Sequence, residues 1–404
     1  MNIQLTQSGL NRRMKRHLLK ETLGFFAITT PGFEEALEEE VRSLPGATIN
    51  RRVTGGVEFN GPLELAYHAD LRLRTANRIV MRVADFTARS YPELYNKAKR
   101  LPWELFVGFT KQITVESASA VSRLHHTDNI AETVFVSCRD HLAALGVVVK
   151  GTDDAPLRFL VRLADDQCTI SIDASGPMLY KRGYRREIGH APIRETLAAG
   201  MLLLAGWQKF PIIADPLCGS GTMLIEAALL ACNKQPGTCR TFAFHTWPCF
   251  LPTMWERLCR EAAEAVETTG SARPMPKLIG SDLSDRAIAA AKTNAWQAGV
   301  ADRIVFTKGD CLEFNRNRAL GLSGLLLSNL PYGKRAFASG EELTSFLRRW
   351  GAHLRATCGG WEFGFVTGDR NFSRAANLPV RETLQFTNGG LDVYFVRGTV
   401  PRLS

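Results

Sequence analysis

The alternation of short apolar runs with helix-period segments between residues 193 and 367 constrains this chain more than any other feature. Runs at 211–214, 278–280, 304–308, 325–327 and 362–367 read as strands, with helical patterns at 193–207, 223–232, 285–298 and 343–354 around them. Strands joined through helices lie parallel, with the helices covering the sheet faces, so this region is an α/β unit. Open sheets of this kind bind ligands outside the carboxyl ends of their strands. Four successive strand ends here carry polar groups.

The first strand runs into Asp215, Pro216, Leu217, Cys218, Gly219, Ser220, Gly221 and Thr222 before a helix at 223–232. Glycines let backbone N–H groups approach a ligand closely, and a helix N-terminus favours negative charge such as a carboxylate. The dinucleotide fingerprint fails, because Leu224 stands where its third glycine should be, and there is no Walker lysine. Taken alone, the glycine pair is equally an ordinary strand–helix turn. The second strand ends in Ser281, Asp282, Leu283 and Ser284, placing a carboxylate where ribose hydroxyls could donate to it; capping of the helix at 285–298 is the competing role for Asp282. The third ends in Gly309, Asp310 and Cys311, and the fourth in Ser328, Asn329, Leu330, Pro331, Tyr332 and Gly333. A Pro-Gly turn is the bland reading of the last, but four polar strand ends converge on one crevice.

The length of 404 residues predicts two to four domains, and 45% hydrophobic with 22% charged residues is the composition of folded protein. A net charge of +10 favours a polyanionic partner without naming one. That charge is uneven: residues 25–66 hold seven glutamates against three arginines, whereas 178–194 hold five basic residues against one glutamate. The apolar stretches, such as 201–205, fall far short of the roughly 20 residues a membrane-spanning helix needs. The basic start (Arg12, Arg13, Lys15, Arg16, Lys20) is not followed by an apolar segment, so no secretory signal is expected and the location should be cytoplasmic. Residues 1–22 read as a mobile basic extension. Nine cysteines without a C-x-x-C pair argue for reduced, buried thiols, and His125, His126 and His190 lack partners at ligand spacing, so no metal is expected.

The N-terminal half has two α+β modules. In the first, strands at 23–30, 53–59 and 78–86 alternate with helices at 33–44 and 63–73, the former presenting Phe33, Leu37, Val41 and Leu44 on one face. In the second, helices at 91–105 and 130–145 accompany strands at 111–117, 157–164 and 168–173. Residues 176–194 then read as a linker, in which Tyr180 and Tyr184 are interleaved with Lys181, Arg182, Arg185, Arg186 and Arg194. Such a run offers RNA phosphate pairing and base stacking, although charge runs are usually solvated faces.

The order of strand ends resembles S-adenosylmethionine-dependent methyltransferases: a D-P-x-C-G-S-G-T loop, an acidic strand end, an Asp, then an N-P-P-Y-like tetrapeptide. The resemblance implies that Asp215, Gly219, Gly221 and Thr222 surround the methionine part of the cofactor, with Pro216, Cys218 and Ser220 of the same loop also at the cofactor. It places Asp282 at the ribose and Asp310 at the adenine amine, counts Leu283 and Cys311 among the cofactor-binding residues, and puts Asn329, Leu330, Pro331 and Tyr332 at the acceptor, with Asn329 also lining the cofactor side. An exocyclic amine conjugated to a base is a poor nucleophile. The Asn329 side chain and the Leu330 carbonyl could accept its two hydrogens and draw the lone pair out of conjugation, while Tyr332 stacks on the base. Leu330 replaces the usual first proline, which weakens the match to DNA-adenine and protein-glutamine enzymes. N-L-P-Y also resembles variants among THUMP-containing RNA guanine-N2 methyltransferases.

Leu179, Tyr180, Lys181, Arg182, Gly183, Tyr184, Arg185 and the run from His190 through Pro192, Ile193, Arg194, Glu195, Thr196 and Leu197 to Ala199 resemble the L-x-x-R-G-Y-R … A-P-I-K-E-T-L-A-A block of the RlmL-like rRNA guanine-N2 methyltransferase family. Thr30, Pro31, Gly32, Phe33, Glu34, Glu35, Ala36 and Leu37, with Gly55, Gly56, Val57, Glu58 and Phe59, resemble its start, and Asn388, Gly389, Gly390, Leu391 and Asp392 its close. The implied architecture is a Rossmann-like class I methyltransferase domain at 195–404, preceded by a ferredoxin-like domain at 23–86, a THUMP RNA-binding domain at 87–175 and a basic linker at 176–194. Pro192 and Thr196 are thereby implied at the cofactor. Lys181, Arg182, Tyr184, Arg185, Arg186, Lys334 and Arg335 are expected at the RNA, with large-subunit rRNA as partner. Some members carry a second methyltransferase domain at their C-terminus, so only the guanine-N2 activity is expected of a chain ending at Ser404. The alternatives are a tRNA guanine-N2 methyltransferase and an inactive RNA-binding assembly factor.

Overall fold

An eight-stranded sheet joins the two N-terminal modules in the computed structural model, which describes residues 4–185, 193–272, 275–315, 323–332 and 339–402. Its strands are β1 (Leu23–Ile28), β2 (Thr48–Val53), β3 (Gly56–Gly61), β4 (Arg78–Thr87), β5 (Gln112–Ala120), β6 (Lys150–Gly151), β7 (Arg158–Ala164) and β8 (Gln167–Asp173), in the order β2-β3-β1-β4-β8-β7-β5-β6. The long antiparallel ladder from Val80 opposite Asp173 to Thr87 opposite Gln167 makes the modules continuous. The single strand expected at 53–59 is a hairpin, because Gly55 at φ +87° supplies a turn between β2 and β3. Phe25 stacks on Phe59 in one module, and Trp103 meets Phe159 edge-on in the other.

Three expectations for this unit need correction. Residues 7–17 form a helix, Gln7–His17, capped by the Thr6 hydroxyl on the Gly9 amide, with Leu10, Met14 and Leu18 buried. An apolar residue at every fourth position, separated by basic side chains, is a stripe too thin to stand out in sequence. Residues 241–258, within the span expected of the methyltransferase domain, pack with this unit. Their aromatics gather on the buried Tyr67, with Phe244 at 4.6 Å and Phe250 at 5.7 Å between ring centroids, while the Leu251 amide donates to the Tyr67 hydroxyl. Finally, the expected linker is divided: the first unit runs to Leu179, and Tyr180–Arg240 folds with the second.

The second unit comprises residues 29–37, 180–240 and 259–404. Its seven strands are β9 (Ile212–Asp215), β10 (Lys277–Asp282), β11 (Ile304–Lys308), β12 (Leu325–Asn329), β13 (Glu362–Thr367), β14 (Val380–Asn388) and β15 (Leu391–Thr399). They lie in the order β11-β10-β9-β12-β13-β15-β14, with β9–β13 parallel and β15 antiparallel to both β13 and β14. The α/β expectation holds, extended by a C-terminal hairpin whose turn is Gly389 and Gly390, both at positive φ. Helices Glu195–Leu204, Thr222–Ala231 and Asp285–Gln297 supply Leu197, Met201, Leu224 and Ile288 to one buried cluster with Phe306 of β11. Trp350, Trp361, Phe363 and Phe365 build the other. The central β9 therefore ends between two packed layers, and the loop after it is set by both neighbours.

No helix among the described residues is long and apolar enough to cross a membrane, and no group of three metal-ligating side chains occurs among them. None of the described cysteines forms a disulfide, and six of them are buried.

Candidate cofactor and acceptor site

Asp215 closes β9 and is 2% exposed. Its Oδ1 accepts from the Ser328 hydroxyl at 2.5 Å and from the Leu217 amide at 3.1 Å. Burial pushes this carboxyl up to about 7, its hydrogen bonds oppose the rise, and Asp282 adds to it. The contact with Ser328 ties the first strand end to the fourth, one residue before Asn329.

The glycine loop is fastened from the other side by Asp282. Its Oδ2 accepts from the Gly219 amide at 3.0 Å, and its Oδ1 from the Ser284 amide at 2.9 Å. The Cys218 amide donates to the Ser281 carbonyl at 2.9 Å, and the Asn294 side chain reaches the Ser220 carbonyl. The helix cap considered for Asp282 is supplied by Ser284, whose hydroxyl accepts from the Ala287 amide. Asp282 is left half-buried at the crevice edge.

The two loop glycines are required for different reasons. Gly221 (φ +83°) lies so close to the core that a Cβ would stand 2.9 Å from the Phe306 ring and 3.1 Å from Ala291. Gly219 (φ +51°) would place a Cβ in open space, with nothing within 4 Å. That open space, beside Asp215 and Asp282, forms a cradle that fits the positively charged methionine end and the ribose of S-adenosylmethionine. Cys218 is buried, and that burial raises its thiol well above the ordinary value, which disfavours the thiolate.

At the third strand end the Asp310 carboxylate accepts from the Leu312 amide at 2.9 Å, and burial pushes the Cys311 thiol up to about 12. Leu283, in contrast, is 63% exposed. At the fourth, the Leu330 amide continues the ladder by donating to the Val366 carbonyl. Tyr332 is buried, and its hydroxyl hydrogen-bonds with the side chains of Asn388 (2.8 Å) and Asn329. The ring is packed in the core cluster, so the expected stacking face is not presented in this conformation.

The basic run after residue 180 turns inward, which corrects the expectation of RNA contact for three of its members. The Tyr184 hydroxyl donates to Glu226 Oε1 at 3.0 Å, and the Arg182 Nε lies 3.6 Å from the same oxygen. Arg185 pairs with Glu195 at 3.2 Å and donates to the Ile193 carbonyl and the Thr222 hydroxyl. Arg182 and Tyr184 are each 5% exposed, and buried guanidinium groups with carboxylate partners are structural pins. Through Thr222 and Glu226 these pins hold the helix that follows the glycine loop. Burial pushes the Glu195 carboxyl up to about 7 and raises the Tyr184 hydroxyl. Lys181 remains exposed. Thr196 is buried on the helix Glu195–Leu204. Pro192, Arg186, Lys334 and Arg335, with His190 and Gly333, lie outside the described residues.

Sequence reading passed over Ser328, Asn294 and the pair Glu195/Glu226. In sequence Ser328 is only a neighbour of Asn329, and a glutamate inside a helix gives no sign of burial. Asn388 stood in the closing motif without a role.

Residues 182–396 match the family described as RMKL-like, methyltransferase domain; 24–80 match the RlmL ferredoxin-like domain and 88–173 the THUMP domain. A "Ribosomal RNA large subunit methyltransferase K/L" from Shewanella sediminis is 35% identical over 384 residues, covering 94% of this chain and 53% of the relative. The chain thus spans about half the length of the curated relatives it matches. Among solved structures, "SMU.472, a putative methyltransferase complexed with SAH" superposes with a TM-score of 0.84 at 29% identity, covering 95% of this chain and 100% of that one. A "predicted N6-adenine-specific DNA methylase" from Listeria monocytogenes gives 0.82 at 28% identity, covering 98% and 99%. With the match over 182–396 joined to a β11-β10-β9-β12-β13-β15-β14 sheet and its four polar strand ends, this chain belongs to the RMKL-like methyltransferase family.

Proposed function

We propose that the chain is an S-adenosylmethionine-dependent methyltransferase acting on the exocyclic N2 of a guanine in 23S rRNA, in the cytoplasm. The observation that carries this reading is the pair of links Asp215–Ser328 and Asp282–Gly219, which hold a cofactor cradle and the Asn329 acceptor strand in one frame. The large-subunit rRNA assignment follows the Shewanella relative, a ribosomal RNA large subunit methyltransferase K/L by name, and the THUMP match supports an RNA substrate. Bound S-adenosylmethionine supplies an electrophilic methyl group on a sulfonium centre.

The rest of the chemistry belongs to the protein's own groups. Asp215 and the loop amides position the methionine end, Asp282 the ribose hydroxyls, and Asp310 the adenine amine. The Asn329 side-chain carbonyl and the Leu330 carbonyl accept the two hydrogens of the guanine amine, which aims the nitrogen lone pair away from the ring. Positioning of this kind supplies most of the rate enhancement, and no metal or strong base is needed. Lys181, Lys334, Arg335 and Arg186 are the remaining candidates for contact with the substrate backbone.

Mass mapping of rRNA and tRNA from cells lacking the protein, after incubation with purified protein and labelled S-adenosylmethionine, tests the assignment. N2-methylguanine appearing in 23S rRNA supports it. Label confined to tRNA overturns the substrate, and failure to bind S-adenosylmethionine overturns the activity.

A further inference from the structure

The helix Gln7–His17 lies outside the matched domains, yet it is a built part of the first unit. Leu10, Met14 and Leu18 are buried, the Leu5 amide donates to the Leu145 carbonyl, and Arg13 reaches the fully buried Glu104 at 2.6 Å. His141 lies 2.7 Å from the second oxygen of Glu104, so each oxygen of that carboxylate has a basic side chain beside it.

The opposite face of the helix carries Arg12, Lys15 and Arg16, all exposed. At 100° per residue they fan around the direction facing away from Leu10, Met14 and Leu18. None of the three forms an ion pair among the described residues, and no acidic residue occurs before Glu21. Cations in the last turn also favour the helix dipole, which accounts for Lys15 and Arg16 but not for Arg12, one turn earlier. A mobile tail would spread its charge, whereas this helix fixes it in one row.

Beside the helix is a cavity of about 330 Å³ whose lining includes Arg13, His17, Arg82, Pro102, Leu105 and Phe106. Its lining combines apolar side chains with the ion-paired guanidinium groups of Arg13 and Arg82, a mixture that suits a flat, polar-edged ring.

We propose that this face is an RNA-docking surface: Arg12, Lys15 and Arg16 pair with consecutive phosphates of an unpaired RNA segment, and one base of that segment enters the cavity. The proposal rests on the reading of RNA as the substrate. Its energetic signature is release of counterions, roughly 0.7 in the log–log salt slope per phosphate contact on a single strand.

The test compares the full chain with a triple variant, Arg12→Gln, Lys15→Gln and Arg16→Gln, and with Val83→Trp, which fills the cavity. Fluorescence anisotropy with a single-stranded 23S rRNA fragment across a salt series is the readout. The triple variant should bind at least tenfold more weakly at low salt, with a slope smaller by about 2. Val83→Trp should weaken binding with the slope retained. Affinity for S-adenosylmethionine and kcat at saturating RNA should be unchanged in the triple variant, with KM for RNA raised. An unchanged slope overturns the phosphate contacts, and wild-type affinity in Val83→Trp, with its thermal midpoint preserved, overturns the base pocket. A slope loss in a protein that methylates no RNA would leave the surface standing and remove the catalytic reading. Methyl transfer with identical KM in wild type and triple variant would do the reverse.

Discussion

The Gly219 amide donates to Asp282 Oδ2 at 3.0 Å, so the carboxylate assigned to the cofactor's ribose also pins the loop assigned to its methionine end. One side chain thereby couples two subsites. Asp282→Ala removes an acceptor from two backbone amides as well as from the ribose, at about 1.5–3 kcal/mol per charge-assisted bond. Affinity for S-adenosylmethionine should fall by about 10²-fold in calorimetry, and Asp282→Asn, which keeps one acceptor oxygen, should recover part of it.

The two loop glycines separate stability from binding. Gly221→Ala forces a Cβ against Phe306 and Ala291 at positive φ, and should cost about 2–4 kcal/mol in denaturant unfolding. Gly219→Ala meets nothing within 4 Å and should cost only about 1–2 kcal/mol for its backbone, yet it fills the cradle and should abolish cofactor binding. Equal stability losses, with binding retained in Gly219→Ala, would contradict the placement of the cradle.

Asp215 gives the site a pH dependence. Its folded-state value of about 7 lies above that of an unfolded aspartate, so the protonated form favours folding; this contribution is full below about 4 and is lost as pH rises through about 7. A cationic ligand prefers the carboxylate. Affinity for S-adenosylmethionine should therefore rise as pH increases from 6 to 8, while stability without the ligand falls. Asp215→Asn should flatten the affinity profile at a weak value and raise the thermal midpoint at pH 8, as scanning calorimetry at several pH values would show.

Tyr184 distinguishes a structural pin from an RNA contact. Tyr184→Phe withdraws the donor from the buried Glu226 oxygen and should destabilise the protein by about 1–3 kcal/mol. RNA affinity of the folded fraction should be unchanged. A preserved thermal midpoint with weakened RNA binding would restore the contact role expected from the sequence.

Much of the second unit was legible in the sequence, because parallel strands buried on both faces are short apolar runs and their carboxyl ends announce themselves by Asp215, Asp282, Asp310 and Asn329. The C-terminal hairpin escaped because β14 alternates Glu, Thr and Gln with few apolar residues. The inward turn of Arg182 and Arg185 was hidden for a physical reason: a guanidinium and a tyrosine look identical in sequence whether they face phosphate or a buried carboxylate, and Glu195 and Glu226 lie 10 and 44 residues from the arginines they meet. The return of 241–258 to the first unit was equally hidden, since it depends on Tyr67, a partner nearly 180 residues away. Local pattern reports periodicity; it does not report which distant surface covers a side chain.

The most direct measurement is single-turnover methyl transfer to the 23S rRNA substrate by Asn329→Ala, with S-adenosylmethionine and RNA affinities determined on the same protein. The expected result is a loss of about 10²-fold or more in the transfer rate, with both dissociation constants within about threefold of wild type. A transfer rate equal to wild type would contradict the assignment of Asn329, at the end of β12, as the group that holds the guanine amine.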